Sequence, residues 1–193
     1  MPAQVDPWRV AGDVARVFDE LGLRYSIGGS MASSVSGEPR STLDVDIVLA
    51  IGDGDVAALM QKLGERYYVP AAALRQAVTD RTSANIIEIE SSIKVDLFVA
   101  GGTPLDDQIL ARRLCIVVEG DTQALYVYTP EDVLLQKLRW FRRGGEASDR
   151  QWRDVLGLIR VQGPRLDRDY LDDGATRLGV RDLFERAVAQ SGR

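Results

Sequence analysis

Leu43-Asp44-Val45-Asp46-Ile47-Val48-Leu49 and Ile93-Lys94-Val95-Asp96-Leu97-Phe98-Val99 are the two runs on which the fold turns. Each alternates apolar residues with polar ones, the signature of a strand with one buried face. Residues two apart on a strand share a face and stand about 6–7 Å apart. Asp44 and Asp46 therefore point one way, while Leu43, Val45, Ile47 and Leu49 take the other face. In the second run Ile93, Val95, Leu97 and Val99 form the apolar row, leaving Asp96 on the side that can converge with the first pair. Carboxylates have low strand propensity and are costly near a core, so such a grouping needs cationic partners or a metal ion.

Outward from these runs, Val10, Val14, Val17, Phe18 and Leu21 recur at helical spacing, and Gly22 stops that helix before a strand at Leu23–Ile27. Gly28-Gly29-Ser30 makes a turn into a short helix of small residues, Met31 to Ser36. Helices are expected from Val56 to about Arg66 and from Pro70 to Val78. A hairpin joins strands at Asn85–Glu90 and Ile93–Val99 through Ser91-Ser92. Gly101-Gly102-Thr103-Pro104 introduces a helix to about Ala111, followed by strands at Leu114–Val118 and Leu125–Tyr128.

From Thr129 the pattern turns helical. Thr129-Pro130-Glu131-Asp132 supplies an N-cap, a first-turn proline and acids. Ser148-x-x-Gln151 caps a helix with the stripe Trp152, Val155, Leu156 and Ile159. Two more helices are expected near Arg168–Leu178 and Val180–Gln190. The organisation is a strand-rich core domain over 1–128 and a helical region over 129–193 packed on it.

The 193-residue chain has the length for one compact domain, or a core with a small helical annex. No apolar run approaches the ~20 residues that cross a bilayer, and the N-terminus shows no basic segment leading an apolar one. These features predict a cytoplasmic protein with no membrane partner. The chain contains no histidine, which excludes histidine triads, zinc–histidine sites and imidazole acid–base chemistry. A single cysteine, Cys115, sits among Leu114, Ile116, Val117 and Val118 and reads as a buried thiol. The net charge of −5 disfavours an all-over grip on nucleic acid. Arg139, Arg142, Arg143, Arg150 and Arg153 nevertheless cluster around Trp140, Phe141 and Trp152. That cluster reads either as an RNA-end patch or as a helical hairpin with buried tryptophans and a solvated basic edge.

Gly28-Gly29-Ser30, then thirteen residues (31–43), then Asp44-Val45-Asp46, then Asp96 on a later strand resembles the first motifs of the nucleotidyltransferase superfamily, the fold of the DNA polymerase beta palm. Arg40-Ser41-Thr42-Leu43-Asp44-Val45-Asp46 is similar to the Arg-x-Thr-x-Asp-x-Asp of its AbiEii-like branch. Glu131 to Leu138, containing Lys137, looks like that branch's lysine helix, and Arg153-Asp154 like its last motif. The branch often places a second aspartate after that motif, where this chain has Leu156-Gly157-Leu158.

The resemblance implies an α/β (α+β) fold, a mixed sheet flanked by helices and followed by a C-terminal helical bundle. It further implies an NTP- and Mg²⁺- (or Mn²⁺-) dependent nucleotidyltransferase acting on a hydroxyl of a macromolecule, a tRNA end or a protein. The branch consists largely of toxins, which implies a cognate antitoxin as a partner. On this reading Asp44, Asp46 and Asp96 ligate metal, with Asp96 also the base for the incoming hydroxyl. Gly28, Gly29 and Ser30 cradle phosphate, Lys137 and Arg40 contact it as cations, and Asp154 is assigned by resemblance. Magnesium suits this set, since it takes hard oxygen ligands and needs no imidazole. Against these stand plainer readings: a glycine turn, solvated carboxylates at a strand end, a surface lysine, and Asp154 paired with Arg150 or Arg153 on its own helix. A module with this fold that binds nucleotide or a partner without turnover is the alternative function. A glycosyltransferase Asp-x-Asp site ranks below it, because those folds need a longer chain and have no role for the glycine–serine turn.

Overall fold

The computed structural model describes residues 6–101, 103–118 and 123–192. Met1–Val5 of the expected unsignalled N-terminus and Gly102 of the Gly101–Pro104 turn lie outside the described residues. The chain divides into two compact units, Met1–Met31 with Ser41–Val127, and Ala32–Arg40 with Tyr128–Arg193.

The first unit holds a seven-stranded mixed sheet in the order β3-β4-β5-β2-β1-β7-β6. Its strands are β1 (Tyr25–Ile27), β2 (Val45–Leu49), β3 (Tyr67–Tyr68), β4 (Ser83–Glu88), β5 (Lys94–Val99), β6 (Leu114–Val117) and β7 (Ala124–Val127). β2 runs parallel to β5 and β1 parallel to β7, and the other neighbours are antiparallel. The buried face carries Val45, Ile47, Leu49, Val95, Leu97 and Val99, all at most 4% exposed, with Ala84 and Ile86 continuing it on β4. This is the apolar row expected from the alternation. α1 (Pro7–Glu20) supplies Val10, Val14 and Phe18 to the core. It is capped by the Asp6 carboxylate, which accepts from the Trp8 amide at 2.9 Å.

The remaining helices of this unit are α3 (Val56–Leu63), α4 (Ala71–Asp80) and α5 (Pro104–Arg112). α3 stops three residues short of the expected Arg66, where Gly64 at φ +57° starts a 3-10 turn over Gly64–Arg66. β3 was not expected. Its two tyrosines form too short a run for a periodicity, and only pairing with Glu88 and Ile87 makes them a strand.

Two expectations fail at strand ends. β2 starts at Val45, so Leu43 is outside it and 65% exposed rather than part of the apolar row. Cys115 is exposed, not buried, because β6 is the outermost strand and Leu114 and Val117 are exposed with it.

α2 (Gly29–Ser36) crosses the boundary between the units. The second unit is otherwise α6 (Pro130–Arg143), α7 (Asp149–Gln162), α8 (Arg168–Arg177) and α9 (Arg181–Gln190). Thr129 caps α6 by accepting from the Asp132 amide, and Ser148 caps α7 by accepting from the Gln151 amide, as their positions predict. α8 lies against α6 so closely that a Cβ on Gly174 would fall 2.6 Å from Leu135 Cδ1. The buried stripe of α7 runs through Val155, Leu158 and Ile159; Leu156 is only half-buried. Among the described residues no helix is long and apolar enough to cross a membrane.

Candidate active site

β2 and β5 pair in parallel with Asp46 opposite Asp96. Neighbouring strands lie about 4.8 Å apart, so the two carboxylates rise side by side from one face, both half-buried. The row continues to Asn85 of β4, which is opposite Asp96 and exposed.

α2 begins against this row. The Gly28 amide donates to the Asp46 carbonyl at 2.8 Å. Gly29 has φ +56°, and a Cβ there would lie 1.8 Å from Asp46 Oδ2. Two demands therefore select glycine at this point: a left-handed backbone and room for a carboxylate on the Cα. Asp46 is held at the first turn of a helix, where the dipole favours negative charge. Ser30 follows on the same turn, half-buried.

Asp44 precedes β2 and is exposed, its amide donating to Thr42 Oγ1 at 3.3 Å. Among the described residues no three His, Cys, Asp or Glu side chains are gathered to hold a metal. Asp46 and Asp96 are side by side; Asp44 stands off the strand end.

Lys94, two residues before Asp96 and on the same face, places Nζ 2.7 Å from Asp96 Oδ2. Its pKa is raised, chiefly by the hydrogen bond to Asp96. Partial burial opposes the rise, and the charges of Asp96, Asp44 and Asp46 add to it. A cation therefore already sits at the carboxylate row. The donors suit a divalent ion of the magnesium kind: hard oxygens on two adjacent carboxylates, with a positive charge drawn to one of them. Magnesium needs only one or two carboxylates when substrate phosphates complete its shell.

The second unit holds the other expected residues. Asp154 on α7 accepts from Arg40 Nε at 3.1 Å and from Lys137 Nζ at 2.7 Å. Lys137 and Asp154 are each 9% exposed at the side chain and Arg40 25%. Asp154 thus pairs across elements, not with Arg150 or Arg153 on its own helix. The basic–aromatic cluster is mostly packing. Phe141 and Trp152 stack with centroids 5.1 Å apart, Arg186 covers Trp152 at 4.2 Å, and of the three rings only Trp140 is exposed.

The structure thus gathers Gly28, Gly29, Asp46 and Asp96 in the first unit, and Arg40, Lys137 and Asp154 in the second. Sequence reasoning passed over Lys94, although its place two residues ahead of Asp96 in the same alternating run is the signal for it. Asn85 had no signal, since only the β4–β5 register brings it beside Asp96.

No protein-family model and no curated protein matches the chain. Solved structures do. An antigenic nucleotidyltransferase-like protein from Paracoccidioides brasiliensis aligns over 94% of this chain and 91% of its own at 18% identity, TM-score 0.50. The antibiotic-resistance factor ANT(2'')-Ia in solution aligns over 96% and 95% at 14% identity, TM-score 0.53. Its crystal structure with adenylyl-2''-tobramycin aligns over 92% and 96%, also at 14% identity and TM-score 0.53. The seven-stranded mixed sheet with its flanking helices gives this chain the fold of nucleotidyltransferase-like proteins.

Proposed function

We propose that the chain is a nucleotidyltransferase that moves a nucleoside monophosphate from an NTP to an acceptor hydroxyl. The observation that carries this is Asp46 in register with Asp96, with Gly29 admitting the Asp46 carboxylate against the start of α2. The fold shared with ANT(2'')-Ia supports it.

In this reaction the acceptor oxygen forms a bond to the α-phosphorus while the bond from that phosphorus to its bridging oxygen breaks. Pyrophosphate leaves with the electron pair, and the acceptor's proton passes to Asp96. Asp46 and Asp96 would hold a divalent cation, Mg²⁺ or Mn²⁺, with Asp44 a third ligand from the strand end, and the ion would supply charge neutralisation for the attacking and leaving oxygens. The Gly28–Ser30 turn, where α2 starts, is assigned to phosphate, which the dipole of a helix start favours. Arg40 and Lys137, both on Asp154, are the cations assigned to phosphate recognition. The macromolecular acceptor and a toxin's role, with a cognate antitoxin, follow the sequence resemblance in residues 40–46. A small polyhydroxylated acceptor is the other arm, since ANT(2'')-Ia was solved with adenylyl-2''-tobramycin.

The test incubates the protein with each α-labelled NTP, Mg²⁺ or Mn²⁺, and total RNA, total protein or an aminoglycoside, with Asp46→Ala as control. Transferred label that vanishes in the variant is the expected result, and the acceptor that carries it names the class. The second reading, a nucleotide-binding module without turnover, is the one that Leu156-Gly157-Leu158, standing where the resembling branch often has a second aspartate, would permit. Nucleotide binding with no transfer to any acceptor would establish it instead.

A further inference from the structure

The carboxylate row contains one charged group that the reaction above does not use. Lys94 holds Asp96 Oδ2 at 2.7 Å, on the same strand and the same face. The parallel register puts Val95 beside Val45, so Lys94 lies at the end of the row nearest Asp44. It feels the charges of Asp44 and Asp46 as well as that of Asp96.

Two carboxylates side by side repel each other, and without a counter-charge that repulsion is carried by the folded chain. Lys94 supplies the counter-charge. Its side chain is 43% exposed against 23% for Asp96, so the ammonium reaches the row from solvent and has room to withdraw. A lysine ammonium is a compact point charge on a flexible stem, suited to leaving one oxygen for another. A divalent cation ligated by Asp96 competes with the Lys94 ammonium for one carboxylate, because two positive charges drawn to the same group repel each other.

We propose that Lys94 is the resident counter-ion of the Asp46–Asp96 row, holding Asp96 while no divalent cation is bound and yielding its carboxylate when one enters. This inference rests on the reading of Asp46 and Asp96 as metal ligands. Its consequence is a weak affinity of the nucleotide-free protein for the bare ion. Filling the site then depends on an NTP, whose phosphates bring further ligands for the metal and a new partner for the displaced ammonium. Lys94 is a positioning residue on this view, acting through Asp96 and not on the reacting atoms.

The experiment titrates Mn²⁺ into the full-length, nucleotide-free protein and follows the free-ion electron paramagnetic resonance signal, for wild type, Lys94→Met, Lys94→Gln, Lys94→Arg and Asp46→Asn. Melting temperature in chelator is recorded for each. Lys94→Met and Lys94→Gln are expected to bind Mn²⁺ roughly three- to tenfold more tightly than wild type, the span of one competing, partly solvated charge. Both should also melt lower in chelator and regain the difference as Mn²⁺ is added. Lys94→Arg, which keeps the charge, should stay near wild type. Unchanged or weaker Mn²⁺ binding in both neutral variants, with binding still lost in Asp46→Asn, would overturn the role of Lys94 alone. Mn²⁺ binding indifferent to Asp46→Asn would overturn the metal reading and this inference with it.

Discussion

Gly29 and Asp46 occupy one another's space: the Cβ that any other residue would carry at 29 falls 1.8 Å from Asp46 Oδ2 and 2.9 Å from Asp46 Cβ. Moving the carboxylate tip alone does not relieve this, because the side-chain root is also too near. Gly29→Ala is therefore expected to cost about 1–2 kcal/mol for the left-handed backbone and to push Asp46 out of line with Asp96. A displacement near 1 Å in a reacting constellation lowers rate about a hundredfold. Urea denaturation reads the first effect and label transfer the second. Wild-type transfer by Gly29→Ala would show that the close approach has no bearing on the chemistry.

The Lys137–Asp154 pair is buried, and breaking such a pair leaves an uncompensated charge. Asp154→Asn keeps the shape and removes the charge. It should lower stability by about 3 kcal/mol or more, as measured by chemical denaturation. Adding Lys137→Met should restore part of that loss, since the buried ammonium that faced the carboxylate is then gone. A double variant no more stable than Asp154→Asn would mean that Arg40, not Lys137, is the partner that matters.

Glu88 sets a limit on acid stability. Burial, the largest single influence on it, raises its pKa, but the Ser91 hydroxyl and amide together with the Arg9 guanidinium outweigh that and hold it below the ordinary 4.5. A carboxyl depressed in the folded state contributes stability above its unfolded value. That contribution is lost as pH falls through the folded one. Ser91→Ala removes the hydroxyl donor, so its acid-unfolding midpoint should lie at higher pH than wild type. At neutral pH it should be less stable by about 1–2 kcal/mol. Circular dichroism against pH decides this, and an unmoved midpoint would show that Ser91 does not hold Glu88.

Cys115 on the exposed edge strand should react with a small disulfide reagent in the native protein at the rate of an accessible thiol, with a stoichiometry of one per chain. Reaction only after denaturant would contradict its placement on the outer strand.

The alternation in 43–49 and 93–99 was enough to predict two strands and their buried faces, and the shared side of Asp46 and Asp96, though not that the first strand starts only at Val45. These are local, period-two signals that burial enforces. Caps at Thr129 and Ser148 were legible for the same reason, being hydrogen bonds between near neighbours in sequence. Cys115 and Leu43 misled because hydrophobicity says that a residue could be buried, while sheet order and strand ends decide whether it is. The Gly28-Gly29 pair, by itself a common turn, gains meaning only when Asp46 is seen against it. Arg40, Lys137 and Asp154 were named by resemblance, but their common meeting at Asp154 joins three distant stretches, and no spacing encodes it.

The parallel pairing of β2 with β5 also governs when the site can exist. Parallel neighbours require a long crossover, and here α3, β3, α4 and β4 all intervene between Asp46 and Asp96. During synthesis Asp46 leaves the ribosome well before its companion, and the row waits for a long loop closure, an entropically slow step. A chain interrupted between α4 and β4 would carry the glycine turn and Asp46 but no neighbouring carboxylate. The fold thereby keeps the two carboxylates apart until β5 has docked beside β2.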